Sequence, residues 1–358
     1  MYLYTLSSAI LSHHTMWYDI FAVFREKPCH SYQIIHCHSD TILGRIFRVT
    51  FMQASPELIL GSLIGLLGAA LYGLSVVVYR SQSEEIKPVA ISSIKMWVAL
   101  PFMAIMVLII PGIDSIFLPL TTIAILGISV TLGAVLGDTI YLWSQERIGV
   151  SYAFPLAMSF PIMTYFLTVI FLGEPPILTR LAGAIVAVIG VILISNEQNR
   201  NQEPQENIET SSSPRRLDLW GIAGALTTAV LYAVGTTLLQ VGIEGVDVIG
   251  GSFVRIVIGS IAFTPMFAAA RYKGMKWPTR RATKRVIVAG FFGMALGSLL
   301  YVGAVSMIGA TIMSVIASTA PLFAIPVSVF VLKEKVTPIA LVGVALTLSG
   351  IALVVMGF

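Results

Sequence analysis

The sequence predicts an all-α integral membrane protein whose ten transmembrane helices form two inverted five-helix repeats. Composition is the first reason: of 358 residues, 56% are apolar and 11% charged, where soluble domains carry about 25% charged residues. The second is the length of the apolar runs. Crossing a hydrocarbon core of about 30 Å takes about 20 apolar residues per helix, and ten such runs can be read. The third is a self-match, because the chain displaced by 160 residues lies over itself without a gap.

Residues 1–51 stand apart from the rest of the chain, since they hold both cysteines (Cys29, Cys37) and all five histidines (His13, His14, His30, His36, His38). They lack the basic start and clean apolar core of a secretory signal. They read as a non-conforming tail, or as sequence upstream of a true start at Met52. Imidazole and thiolate can ligate zinc, but the run "CHSYQIIHCHSD" has no paired C-x-x-C framework, so neither a metal nor another cofactor is expected. Spans near 58–79, 88–110, 119–142, 150–172 and 177–195 make up a first repeat over 57–195. The stretch "NEQNRNQEPQENIETSSSPRR" lies in a linker over 196–217, with the low hydrophobicity of flexible chain. Spans near 218–240, 247–270, 285–305, 309–332 and 337–357 make up a second repeat over 218–357.

The self-match pairs Gly137 with Gly297, Tyr141 with Tyr301, Pro161 with Pro321, Glu174 with Glu334, Gly183 with Gly343 and Gly190 with Gly350. It also pairs Leu71-Tyr72 with Leu231-Tyr232, and Lys95 with Arg255. Because five is odd, the second repeat enters the membrane from the opposite side. Lys95 and Arg255 each sit near the eighth residue of their span, which at 1.5 Å per residue is about 12 Å from the helix end. An embedded charge costs roughly 2.5 to 3.5 kcal/mol, so each side chain either snorkels to the interface or faces a water-filled cavity between the halves. We take the second reading, which makes Lys95 and Arg255 candidate substrate-binding residues. Asp138, matched by Ser298, is the one acidic residue well inside a span and a candidate for proton exchange or for pairing with a cation. Tyr72, Tyr232, Tyr141 and Tyr301 are candidate lining residues, although tyrosine also anchors helices at interfaces.

Pro155 and Pro161 in the fourth span, with Pro321 and Pro326 in the ninth, are expected to bend their helices by removing backbone donors. The glycines of the fifth and tenth spans are seven apart and share one face, where small residues let helices approach closely. Glu174 and Glu334 end their spans, as caps or loop residues rather than catalytic groups.

With these residues in place, the chain over 58–357 resembles the drug/metabolite transporter superfamily, and in particular its ten-helix members built from two EamA-type repeats. The resemblance rests on Pro161 and Pro321, on "FLGEP" and "VLKEK" with Glu174 and Glu334, and on the glycine-spaced fifth and tenth spans. It implies a basic residue early in the second and seventh helices, met here by Lys95 and Arg255, although lysine lacks the planar fork of arginine. It also implies that the fifth and tenth helices join the halves while the others line a substrate path, and that the protein exports its substrate.

Function is reached by exclusion as much as by likeness. No G-x-x-x-x-G-K-[ST] loop is present, so ATP is not the direct energy source. No histidine occurs after His38 and no intramembrane carboxylates are paired, which removes the groups that intramembrane hydrolysis needs. The protein is therefore expected to be a secondary transporter of the cell membrane and not an enzyme. Its partners are a small anionic or zwitterionic metabolite, such as an amino acid, and the lipid bilayer, with coupling to a proton or a counter-substrate and none to nucleic acid. The main competitor is a lipid-linked sugar or nucleotide-sugar carrier, and after it a non-transporting scaffold or sensor. Basic residues concentrate after the odd-numbered spans, in Arg80, Lys87, Arg147, Arg200, Arg215, Arg216, the run "RYKGMKWPTRRATKR" and Lys333 with Lys335, whereas the opposite side holds only Arg180. That bias predicts a cytoplasmic 271–285 loop and linker, with both termini outside.

Overall fold

The structure, a computed structural model, describes residues 55–82, 85–148, 150–200, 218–323 and 337–356. The chain divides into two compact units, Met1–Met52 and Gln53–Phe358, and every described residue belongs to the second. The Cys/His-rich tail, most of the linker, Pro326, Lys333, Glu334 and Lys335 lie outside the described residues.

Among the described residues every regular element is helical. Helix α1 is Pro56–Ser81 and α2 is Pro88–Ile109. Helix α3 runs as Leu120–Val130, a π-helical stretch Thr131–Gly137, and Asp138–Ile148. Helix α4 is split into Val150–Ala157 and Phe160–Phe171, with Pro161 at the start of its second piece, where a missing donor is tolerated. Helix α5 is Leu178–Arg200, so helix continues into the first residues of the polar segment; Glu, Gln and Arg are good helix formers. Helix α6 is Leu219–Ile243 and α7 is Val248–Tyr272. Helix α8 runs as Arg280–Gly290, a π-helical stretch Phe291–Gly297, and the helix from Ser298 to Gly309, where φ of 77° and ψ of 169° break the direction. Helix α9 continues from there to Ser318, and a 3-10 turn, Ala320–Phe323, holds Pro321. Helix α10 is Pro338–Met356. Seven described helical stretches are long and apolar enough to cross a membrane, α8 and α9 counting together as Arg280–Ser318, and Leu178–Ile194 and Leu341–Met356 are shorter apolar helices.

Aspartates fix the entries of α6 and α7. Asp218 accepts from the Trp220 backbone N–H at 3.0 Å, and Asp247 from those of Ile249 and Gly250, satisfying donors that have no partner inside the helix. Arg147 donates to Asp218 across 2.8 Å and, with this hydrogen bond as the first cause, holds the Asp218 carboxyl below its usual range.

Both halves start their elements in the same register: α2 and α7 at 88 and 248, α3 and α8 at 120 and 280, the π stretches at 131 and 291, and α5 and α10 at 178 and 338. Close approaches show how the halves meet. A Cβ on Gly183 would lie 2.7 Å from the Gly350 carbonyl oxygen, and one on Gly190 would lie 2.6 Å from that of Gly343. A parallel pair would bring Gly183 to Gly343. The observed crossing is antiparallel, as a two-fold axis in the membrane plane requires of helices 160 residues apart. The same exchange relates α1 to α6: Gly61 faces Met307 and Ile308 of α8, and Gly221 faces Arg147 and Ile148 of α3. Helices α2 and α7 pack on each other, and Ser260 donates to the Met96 carbonyl at 3.4 Å.

A polar column along one helix face

Thr228, Tyr232, Thr236 and Gln240 recur every fourth residue of α6. Residues at that spacing stack on one face, and these four point into the bundle, where each makes a hydrogen bond to another helix. Over 12 residues the stripe extends about 18 Å, most of the apolar thickness. It crosses a helix of otherwise apolar and small residues. An i, i+4 polar pattern inside an apolar run was the available sequence signal for Thr228, Thr236 and Gln240; the internal repeat does not reveal them, because the first half has no matching stripe.

At one end of the stripe stands an ion pair. The Lys95 ammonium donates to Asp138 Oδ2 at 2.8 Å, and the Tyr232 hydroxyl donates to Asp138 Oδ1 at 2.8 Å. Residues 90–96 of α2 are all buried, so this part of the helix is surrounded by protein and Lys95 has no apolar route to the interface. Its side chain turns inward to a carboxylate instead of snorkelling. Asp138 is delivered by α3 immediately after the π stretch Thr131–Gly137, a distortion common at functional sites. Gly137 makes room for the partner: a Cβ there would lie 2.7 Å from the Tyr232 ring. Phe160 of α4 packs edge-on against the same ring, at 5.9 Å between centroids. Tyr72 of α1 lies within electrostatic reach of Asp138.

Toward the other end, Arg255 of α7 donates to Ser129 Oγ of α3 at 2.9 Å, and the Ser129 hydroxyl in turn donates to the Gly235 carbonyl of α6 at 2.6 Å. Tyr301 of α8 bonds Thr236 at 2.8 Å and lies within electrostatic reach of the guanidinium. The two matched cations are thus placed differently. Lys95 is neutralised, whereas among the described residues no carboxylate lies within 4.0 Å of Arg255. The difference traces to one position, since Ser298 stands where Asp138 stands in the first half.

Beyond Arg255 the column closes on Glu174. Its carboxylate accepts from Gln240 Nε2 at 3.2 Å and from the Thr311 hydroxyl at 3.0 Å, with Arg180 at 4.0 Å. Gln240 Oε1 accepts from the Ala310 backbone N–H at 2.6 Å, and the Thr168 and Thr311 hydroxyls lie 2.7 Å apart. Glu174 therefore joins the α4–α5 loop to the end of α6 and the start of α9. That is a larger structural task than capping its own helix, and it depends on the Gly309 break that turns α9 toward it. Tyr141 packs edge-on with Phe154 at 6.4 Å and lies within electrostatic reach of Tyr232. Among the described residues no group of three or more His, Cys, Asp or Glu is placed to hold a metal.

Comparison with known proteins agrees with this architecture. A family profile described as the EamA-like transporter family matches residues 59–196 and again residues 219–356. A solved structure titled "Crystal structure of protein" is similar in fold, with a TM-score of 0.66 at 15% identity over 82% of this chain and 96% of that one. No curated protein matches the chain.

Proposed function

Because the chain belongs to the EamA-like transporter family, which matches it in both halves, we propose that it is a secondary transporter for a small metabolite with one net negative charge, or for a zwitterion such as an amino acid held by its carboxylate. The reading includes ten spans in two inverted five-helix units, alternating access about a site beside α6, and location in the cell membrane. Export is the direction that the family likeness suggests.

One observation carries the substrate class. Lys95 and Asp138 cancel, as do Arg180 and Glu174 at the column's end, so the described part of the column keeps the single charge of Arg255, and an embedded cation without a protein counter-charge is a place for a ligand anion. A nucleotide sugar, with two or more negative charges, fits a single net positive charge poorly. Ser129 and Asp138 are nine residues apart on α3, roughly 12 Å allowing for the π stretch. One α-amino acid does not bridge Arg255 and Asp138 at once, which leaves the Lys95–Asp138 pair free to couple a proton or a counter-substrate. The basic bias of the loops supports a cytoplasmic 271–285 segment; single cysteines there, in a background without Cys29 and Cys37, should resist an impermeant thiol reagent in intact cells.

The test is a thermal-shift screen of purified protein against amino acids, monocarboxylates and nucleotide sugars, since a ligand that binds the folded state raises its melting temperature. A monoanion or amino acid should stabilise the wild type, and Arg255→Gln should weaken that binding roughly tenfold to hundredfold, as loss of a charged hydrogen bond does. Stabilisation by nucleotide sugars alone, or a shift equal in the two proteins, contradicts the reading.

A further inference from the structure

The turn between α7 and α8 carries seven basic residues within 271–285, Arg271, Lys273, Lys276, Arg280, Arg281, Lys284 and Arg285, and no acidic one. Among the described residues none of the seven lies within 4.0 Å of a carboxylate. The turn is built, not loose. Gly274 at φ of 91° reverses the chain, the Lys273, Gly274 and Met275 backbone N–H groups donate to the last carbonyls of α7, and Met275 is buried. The Arg271 guanidinium donates to the Met275 carbonyl and lies 4.7 Å above the Trp277 ring, which packs 5.8 Å from Phe267. Thr279 donates to Glu85 at 2.7 Å, tying the turn to the segment before α2. From this frame Tyr272 and Trp277 project outward, 95% and 70% exposed, beside Lys273, Lys276, Arg280 and Arg281.

A rigid set of cations flanked by two outward aromatic rings, at the end of a membrane-crossing helix, matches the interface between headgroups and acyl chains: tyrosine and tryptophan settle there, and juxtamembrane Lys/Arg clusters attract anionic lipid. We propose that this turn is a binding surface for anionic phospholipid headgroups of the leaflet it faces, with the phosphodiester held by Lys273, Lys276, Arg280 and Arg281 and the rings of Tyr272 and Trp277 seated at headgroup level. The membrane is favoured over a soluble acidic partner because the helices on either side hold the turn at the bilayer surface and because the rings would otherwise face water. Basic loops also set orientation during insertion, so the test is made on protein already folded and purified.

Delipidated full-length protein in a neutral detergent is melted with added phosphatidylglycerol, with phosphatidylcholine, and with inorganic phosphate. Phosphatidylglycerol should raise the melting temperature, in a manner weakened by salt, while the other two leave it unchanged. The exposed-residue variant Lys273→Gln/Lys276→Gln/Arg280→Gln/Arg281→Gln should lose the phosphatidylglycerol shift. Should that variant purify poorly, Arg280→Gln/Arg281→Gln should show a reduced shift. Equal shifts with both lipids, a full effect from phosphate alone, or an undiminished shift in the variants would overturn the proposal. None of these outcomes depends on the transport reading.

Discussion

Lys95 and Asp138 show how an ion pair is held when its side chains are mostly buried, 8% and 16% exposed. Two charges removed from water are stabilised only by good geometry and further hydrogen bonds, and removing one partner strands the other. Lys95→Met leaves the Asp138 carboxylate with Tyr232 alone, and Asp138→Leu leaves an ammonium in a wholly buried stretch of α2. Each single change should lower stability by about 3 to 5 kcal/mol, while Lys95→Met/Asp138→Leu should recover most of the loss. Denaturation of the four proteins in one detergent decides this; losses that simply add would mean that the pair is not coupled. Matched cations and a lone intramembrane acid were legible in the sequence as a fixed offset and an exception to apolar composition. Their pairing was not, because the residues are 43 apart and are brought together by α7, on which both α2 and α3 pack. The inequality of the cations was half visible in Ser298, but what Arg255 touches depends on the neighbouring helix.

Helices α5 and α10 approach backbone to backbone at their glycines. At Gly190 a Cβ would meet the Thr347 backbone nitrogen at 2.5 Å and the Gly343 oxygen at 2.6 Å, and backbone atoms on a packed helix have nowhere to go. Gly190→Val should separate the two helices and lower stability by about 1 to 3 kcal/mol, as overpacking does, whereas Leu178→Ala at the exposed start of α5 should have little effect. A melting temperature unchanged by the valine would refute the close crossing. The glycine face was readable because a spacing of seven residues marks one side of a helix. The π stretches were not, since they differ from α-helix in hydrogen-bond register and have no distinguishing composition. Their recurrence at 131–137 and 291–297 emerges from the folded halves alone. The proline break in α4 was foreseeable, and a break near Gly309 was marked by the end of the eighth span at 305 and the start of the ninth at 309; that it aims α9 at Glu174 was not.

Across the whole molecule, the column along α6 is closed at the Glu174 end by contacts between α4, α6 and α9. The proposed alternating access requires such contacts to part during each cycle. Thr168 and Thr311, with hydroxyl oxygens 2.7 Å apart, allow Thr168→Cys/Thr311→Cys to be joined by a disulfide in a background with Cys29 and Cys37 replaced by serine. Oxidation should abolish flux in proteoliposomes and a reductant should restore it; full flux in the oxidised protein would show that this end does not open. The central claim is that the unneutralised guanidinium on α7 receives the substrate anion, and it is tested most directly by measuring flux and melting temperature on the same Arg255→Leu preparation. The account predicts a protein that inserts, melts at or above the wild-type temperature because an embedded charge is gone, and no longer transports the metabolite that stabilises the wild type. Undiminished flux from that preparation would contradict it.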